Sequence, residues 1–442
     1  MAYLISLGRN NISKFILLTI LLKLVKDIFF KGINYRNSFT KIKIPWSETQ
    51  NYLSRHSSIH NLTCFLFTFI MFLIKNYIDT ETLFGSFVNK FKKESDNKKY
   101  ISKYEFLFII FLWVLDDILN EIYKGMLDLE FWMFGLIFIS ILSKEYKIHH
   151  KISNYLILFL CSLIKIILIF IDVNEEEKNN IVNKDNIWFI PLGIIIYLAI
   201  IFIRSYAYVK LKSIMDNKGN SYNEILIFYG LIGTIMNFIV CLVSTFKECD
   251  NDFYTNYICK VPYTEDNNVQ FNKKYFENFE LYFKTLMGEI NNKFSIIELF
   301  FEIIVIIFGV TFNLFYKFSF LKIIDDLSPG HAIFSYSILK IIPKIILPII
   351  TLINEGSFFS SKHEEHILIK YILGFINNIF ATIGFAIYLE MIILKFCGFD
   401  HDIKENIIRR MKSDLKSVES FYSINDDENE DDEEKEVQRK TF

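Results

Sequence analysis

Residues 325–350 read DDLSPGHAIFSYSILKIIPKIILPII. The run after Gly330 is apolar and long enough to cross a bilayer core of about 30 Å. Yet it carries His331, Lys340 and Lys344, and three of the chain's six prolines, Pro329, Pro343 and Pro348. Ser328-Pro329-Gly330 breaks one helix and begins another, because proline suits a first helical turn, where its missing N–H leaves nothing unpaired. Asp325 and Asp326 stand where they can meet the free N–H groups of that turn. Further in, Ser335, Ser337 and Lys340 fall on overlapping faces. Pro343 strips the carbonyl near Leu339 of its partner, which kinks the helix and exposes polar backbone beside Lys340. Broken helices of this kind are where membrane carriers build sites. Lys340 is expected to hold a phosphate or carboxylate, or to pair with an acid of another helix. The plainer alternative is that Lys340 only pairs and Lys344 snorkels.

The same apolar character recurs along the chain. Of its 442 residues 52% are hydrophobic and 17% aromatic, with a mean hydropathy of +0.30. Runs of spanning length lie near 13–31, 60–78, 104–124, 129–145, 152–172, 187–207, 223–246, 296–322, 331–353 and 367–395. They are continuous, not alternating, so they predict helices in preference to a β-barrel. The reading is an all-α membrane protein of ten transmembrane helices. The first run holds Lys23, Lys26 and Asp27 and lacks a small-residue cleavage site, so it is expected to be retained.

Charge sorts by side. The stretches 90–103, KEYKIHHK (144–151), 204–218 and KENIIRRMKSDLK (404–416) are basic, whereas DVNEEEKNNIVNKD (172–185) is acidic. The positive-inside rule then places both termini in the cytosol. Loop 31–59, with Lys31, Arg36, Lys41, Lys43 and Arg55, is the exception. Ten helices divide into a first five-helix repeat, 1–172, and a second, 187–398, followed by a cytosolic tail, 399–442. The tail segment DDENEDDEEKE (426–436) holds nine acids and one lysine; removing it turns the net charge of −2 into +6. Such a segment cannot bury a core and is expected to be disordered. Loop 247–295 lies on the lumenal or extracellular side. Its Cys249 and Cys259 would suit a disulfide in an oxidising lumen, and two unpaired thiols fit the spacing equally. Within it, 273–290 has aromatic residues at helical spacing and reads as an interfacial helix.

Charges within the runs are the functional candidates, because a charge at the bilayer centre costs about 2.5 to over 10 kcal/mol unless it is paired or wet. In WVLDDILNEIYKG (113–125), Asp116, Asn120 and Glu121 share one helical face and Asp117 lies one step round. The set can line a cavity that binds a cationic group or relays a proton; otherwise it is a packing network. Lys165 and Asn313 are further cavity candidates. Lys26 and Asp27 can pair locally, and Glu298, Glu302 and Arg204 read as ordinary charges near helix ends. Gly230 and Gly233 suit close helix packing.

Several stretches resemble the drug/metabolite transporter superfamily. RSYAYVKLKSIMDNKGNSYNEILIFYGLIGTIM (204–236) is similar to that superfamily's link between helices six and seven, and ILSKEYKIHHKISNYLILFL (141–160) to its link between helices four and five. DDLSPGHAIFSYSILKIIPKI (325–345) resembles the helix-eight to helix-nine junction of nucleotide-sugar transporters and of the chloroquine resistance transporter. GFAIYLEMIILKFCG (384–398) resembles their tenth helix. The resemblance implies a 5+5 inverted-repeat carrier that binds a small-molecule substrate between its halves. It implies no catalytic residues, cofactor, metal or nucleic acid, and a home in an endomembrane of Golgi, endoplasmic-reticulum or vacuole type. The lipid bilayer is the partner it requires, and a homodimer is one open oligomeric state. A non-transporting scaffold or receptor is the alternative. A membrane enzyme would have to work through HHK (149–151) or HEEH (363–366), which fall in short loops, and no Walker loop or serine elbow accompanies them.

Ser423 precedes INDDE, with Ser417 and Ser420 close by, so the tail is expected to be phosphorylated by an acid-directed kinase. Phosphopeptide mapping that finds all three serines unmodified in the expressed protein removes that idea.

Overall fold

The computed structural model describes residues 5–7, 18–26, 57–81, 103–123, 132–142, 189–218, 221–245, 248–249, 261–263, 273–275, 279–286 and 296–335, with scattered positions from 372 to 409. Lys165, Ser337, Lys340, Cys259, the two histidine clusters and the acidic tail lie outside the described residues, as do the side chains of Glu121 and Cys249.

The described chain is almost entirely helical. Its helices are α1 (18–26), α2 (Ser57–Thr80), α3 (Lys103–Tyr123), α4 (Trp132–Leu142), α5 (Phe189–Lys218), α6 (Tyr222–Thr245), α7 (Phe279–Leu286), α8 (Ile296–Asp326) and α9, which begins at 329. Among the described residues, three segments are long and apolar enough to cross a membrane: Ser58–Asp79, Tyr222–Thr245 and Ile303–Asp326. Each rises about 33–36 Å at 1.5 Å per residue, enough for a bilayer core.

Local signals set the helix ends. Ser221 and Glu224 form an S-x-x-E capping box at the start of α6, where the Glu224 N–H donates to Ser221 Oγ at 3.3 Å. Helix α2 ends with Glu81 in the left-handed region (φ 54°), its N–H returning to Tyr77 O at 2.8 Å. At 328–331 the cap is Ser328: the His331 N–H donates to Ser328 O at 3.1 Å, and Ser328 Oγ lies 2.8 Å from His331 Nδ1. The expected role of Asp325 at this turn is not what the structure shows. Its carboxylate accepts from the Tyr222 hydroxyl, and the Lys212 ammonium lies 3.8 Å away.

Three further expectations are corrected. The stretch 204–218, read as a basic loop, is the second half of α5. Ile201, Arg204, Ser205, Tyr208, Leu211, Lys212 and Met215 are all buried, a helical stripe that the sixth run does not exhaust at 207. Residues 392–394, read as the end of the tenth helix, form strand β5, antiparallel to β1 (Ile5–Leu7); Ile-Ile-Leu packs as well in a strand as in a helix. The segment 273–290 splits into strand β4 (Lys273–Tyr275) and α7. Strand β4 is central to a small sheet with β2 (Glu248–Cys249) and β3 (Val261–Tyr263).

Packing is inside-out. On α2, Leu66, Ile70, Ile74 and Ile78 are exposed at a four-residue spacing; on α6, Ile235, Phe238, Ile239 and Leu242 are exposed at helical spacing. Such stripes are liabilities in water and the ordinary surface in lipid. Several hydroxyls along the helices donate to their own carbonyls four residues back, as Thr68 does to Cys64 O, Thr234 to Gly230 O and Thr311 to Ile307 O, so these are not left bare in hydrocarbon. Helix α3 lies between α5 and α6, and α8 touches α2, α5 and α6.

The closest helix pair is α2 with α6. A Cβ placed on Gly230 would stand 2.5 Å from Phe69 N and 2.9 Å from Phe65 O, both backbone atoms. Small residues allow this approach, and in lipid packing contact is what drives helix association. Gly230→Val is therefore expected to lower stability by about 1–3 kcal/mol or more. Thermal unfolding of the detergent-purified protein would show it, and an unchanged midpoint would contradict the close approach.

Candidate functional site

The site begins with two neighbouring acids on α3. Successive helical residues point about 100° apart, so Asp116 and Asp117 cannot share one partner helix, and each meets a different one. Arg204 of α5 turns its Nε to both Asp116 oxygens at 3.0 Å. Lys317 of α8 holds Asp117 Oδ2 at 2.6 Å, and the Tyr229 hydroxyl of α6 donates to the same oxygen.

The two pairs differ in access. The Asp116 and Arg204 side chains are 2% and 8% exposed. Lys317 is likewise 8% exposed, but Asp117 is 27% exposed. The second pair thus has a sheltered base and a more exposed acid.

Aromatic rings surround the sheltered base. The Lys317 ammonium stands 5.1 Å from the Tyr229 ring centre, 5.4 Å from Trp113 and 5.6 Å from Tyr316. All lie within cation–π range. Trp113 and Tyr229 pack together with centres 4.2 Å apart. From α1, Lys23 reaches the Tyr316 hydroxyl at 3.4 Å and lies 5.0 Å from the centre of its ring.

The group sits deep. Lys212 and Asp325 mark one end of the bundle, where Lys210 also meets Glu105 at 3.4 Å and Asn223 meets Asp79 at 3.3 Å. Arg204 and Lys317 each lie about 12 Å inside that end at 1.5 Å per residue, close to half the thickness of a bilayer core.

Among the expected site residues, Asp116 and Asp117 are at the centre. Asn120 is half-buried one turn beyond Asp116. Asn313 is buried one turn from Lys317 on α8, its Oδ1 without a partner among the described residues. Ser335 is buried in the first turns of α9 and donates to Ala332 O at 2.7 Å. The bases that answer the acids of α3 are Arg204 and Lys317, neither of which stood among the site candidates. Arg204 read as interfacial because the sixth run was ended too early. Lys317 lies inside the eighth run with Asn313 four residues before it, and that polar pair on one face of an apolar helix was its readable signal.

No family model matches the chain, and no curated protein matches it.

Removing one member of a buried ion pair strands the other, at about 3–5 kcal/mol. Lys317→Met is expected to lose that much stability. Pairing it with Asp117→Asn should recover most of the loss, because no bare carboxylate then remains. Denaturation of the single and double variants in mixed micelles measures the coupling, and additive losses would show that the two side chains do not interact.

Proposed function

We propose that this chain is a secondary-active carrier that moves a small polar or charged metabolite by alternating access. The reading takes it as a ten-helix, 5+5 protein resembling the drug/metabolite transporter superfamily, with both termini in the cytosol of an endomembrane. One observation carries the reading: near mid-membrane depth, a partly accessible carboxylate, Asp117, is held by a lysine from another helix. A buried charge in hydrocarbon costs enough that it marks a substrate or ion path by default. In the 5+5 division, α3 belongs to the first half and α5, α6 and α8 to the second. Both ion pairs then cross the junction where inverted-repeat carriers place their substrate.

Counterflow in proteoliposomes tests the reading. Nucleotide sugars, amino acids, peptides and organic cations would be loaded in turn, with wild type beside Asp117→Asn. Exchange of one solute is expected, with a loss of about tenfold or more in Asp117→Asn at unchanged fold. No exchange of any solute by a monodisperse, stable protein would move the reading to a non-transporting scaffold or receptor.

A further inference from the structure

We propose that Asp117, Tyr229, Trp113 and Tyr316 form a binding site for an organic ammonium, and that Lys317 is a tethered stand-in which the substrate's amine displaces. The inference rests on the carrier reading for what happens after binding, but the site itself stands on its geometry.

An ammonium facing a carboxylate at 2.6 Å and three aromatic rings at 5.1–5.6 Å occupies the surroundings in which proteins recognise amine ligands. Here the ammonium belongs to the chain. Its attachment differs from that of the neighbouring base. Arg204 shares its Nε–H between both oxygens of a buried carboxylate, on a rigid planar head that reorients as a unit. Besides its ring contacts Lys317 makes one hydrogen bond, to Asp117, from a flexible four-carbon stem, and it can leave by rotating that stem. Its acid is the more exposed member of the pair, at 27% against 8%, so the carboxylate and not the lysine is the group an incoming cation would meet. Within the cage, Trp113 Nε1 is buried with no acceptor among the described residues, a donor left over for a ligand's polar group. Lys23, already on the Tyr316 ring, lies at the edge of the cage.

This chemistry fixes an order of preference. A primary ammonium can reproduce the short N–H···O contact to Asp117, and a quaternary ammonium keeps only the ring contacts. Primary amines should therefore bind more tightly than quaternary ones, and inorganic phosphate should not bind. A tethered competitor acts at an effective concentration in the millimolar range, so removing it should tighten amine binding by about tenfold or more.

The test is titration of the full-length detergent-purified protein with n-butylammonium, tetramethylammonium and phosphate at constant ionic strength. The readouts are tryptophan fluorescence and the thermal midpoint. The expected result is saturable n-butylammonium binding by wild type, weaker tetramethylammonium binding, tighter n-butylammonium binding in Lys317→Gln, and no binding in the Asp117→Asn/Lys317→Gln double variant. Glu105→Gln, in the exposed pair at the bundle end, should keep its amine response, which guards against a general effect of lost charge. Amine binding by Lys317→Gln with none by wild type would make Lys317 a permanent counter-ion and overturn the proposal. Binding of phosphate in place of amine would overturn it as well. Amine binding without counterflow of any solute would sink the carrier reading and leave the site. Counterflow of an amine-free solute by a protein that ignores n-butylammonium would do the reverse.

Discussion

Two adjacent carboxylates in the middle of an apolar helix impose a constraint that the rest of the bundle must meet. Asp116 and Asp117 face different directions, so two separate helices must each bring a base. Helix α5 supplies Arg204 and α8 supplies Lys317, which makes α3 the element against which the others are placed. The Tyr229 hydroxyl adds a bond to Asp117 only because α6 lies close to α3. The position of α6 is held in turn by Gly230 and Gly233 against Phe65 and Phe69 of α2. A glycine contact on one side of α6 thus helps to set a hydrogen bond on the other.

The polarity of the bundle follows from its solvent. In lipid the apolar side chains of α2, α6 and α8 gain little by burial, and helix contact rests on packing and on polar bonds between helices. The polar bonds concentrate where lipid does not reach. The deep pairs lie in the interior. At one end lie Lys212, Asp325, Tyr222, Asp79 and Glu105. At the other, Asn237 donates to Ser58 O and the Phe279 N–H to Thr245 Oγ1. That second end is covered by α7, whose Tyr282 packs on Ile59 and Cys241 and stands edge-on to His60.

What could be read in advance depended on how conspicuous each residue is. Acids inside an apolar run stand out, and Asp116 and Asp117 were found that way. A single base near the margin of a run does not, because a long cationic side chain can equally snorkel to water; Arg204 was set aside for that reason. Element ends were legible where a cap has a distinct chemistry, as at Ser328-Pro329, and the wrong residue was credited even there. Asp325 and Ser328 can both cap a helix, and only the tertiary placement of Tyr222 and Lys212 decides that Asp325 is engaged elsewhere. The strand at 392–394 was hidden because its partner, Ile5–Leu7, lies at the far end of the chain. Window composition carries no information about so distant a pairing.

The two ion pairs look equivalent in sequence, an acid on α3 and a base on a later helix, yet their physics separates them. Asp116 and Arg204 are both sealed, and the Nε contact to each carboxylate oxygen would have to be broken in low dielectric, where nothing replaces it. Any rearrangement of these helices is cheapest if that pair persists and acts as a joint. Asp117 is different on each point: one hydrogen bond from a flexible lysine, a Tyr229 hydroxyl bond that does not depend on that lysine, and a side chain 27% exposed against 2% for Asp116. The surface pair Glu105–Lys210, at 43% and 36% exposure, is worth at most about 1 kcal/mol and opposes motion weakly. Resistance to movement therefore falls steeply from Asp116 to Asp117 to the bundle end. Adjacent residues of one helix provide both a fixed contact and an exchangeable one, which is the least a bundle needs to change its partner without coming apart.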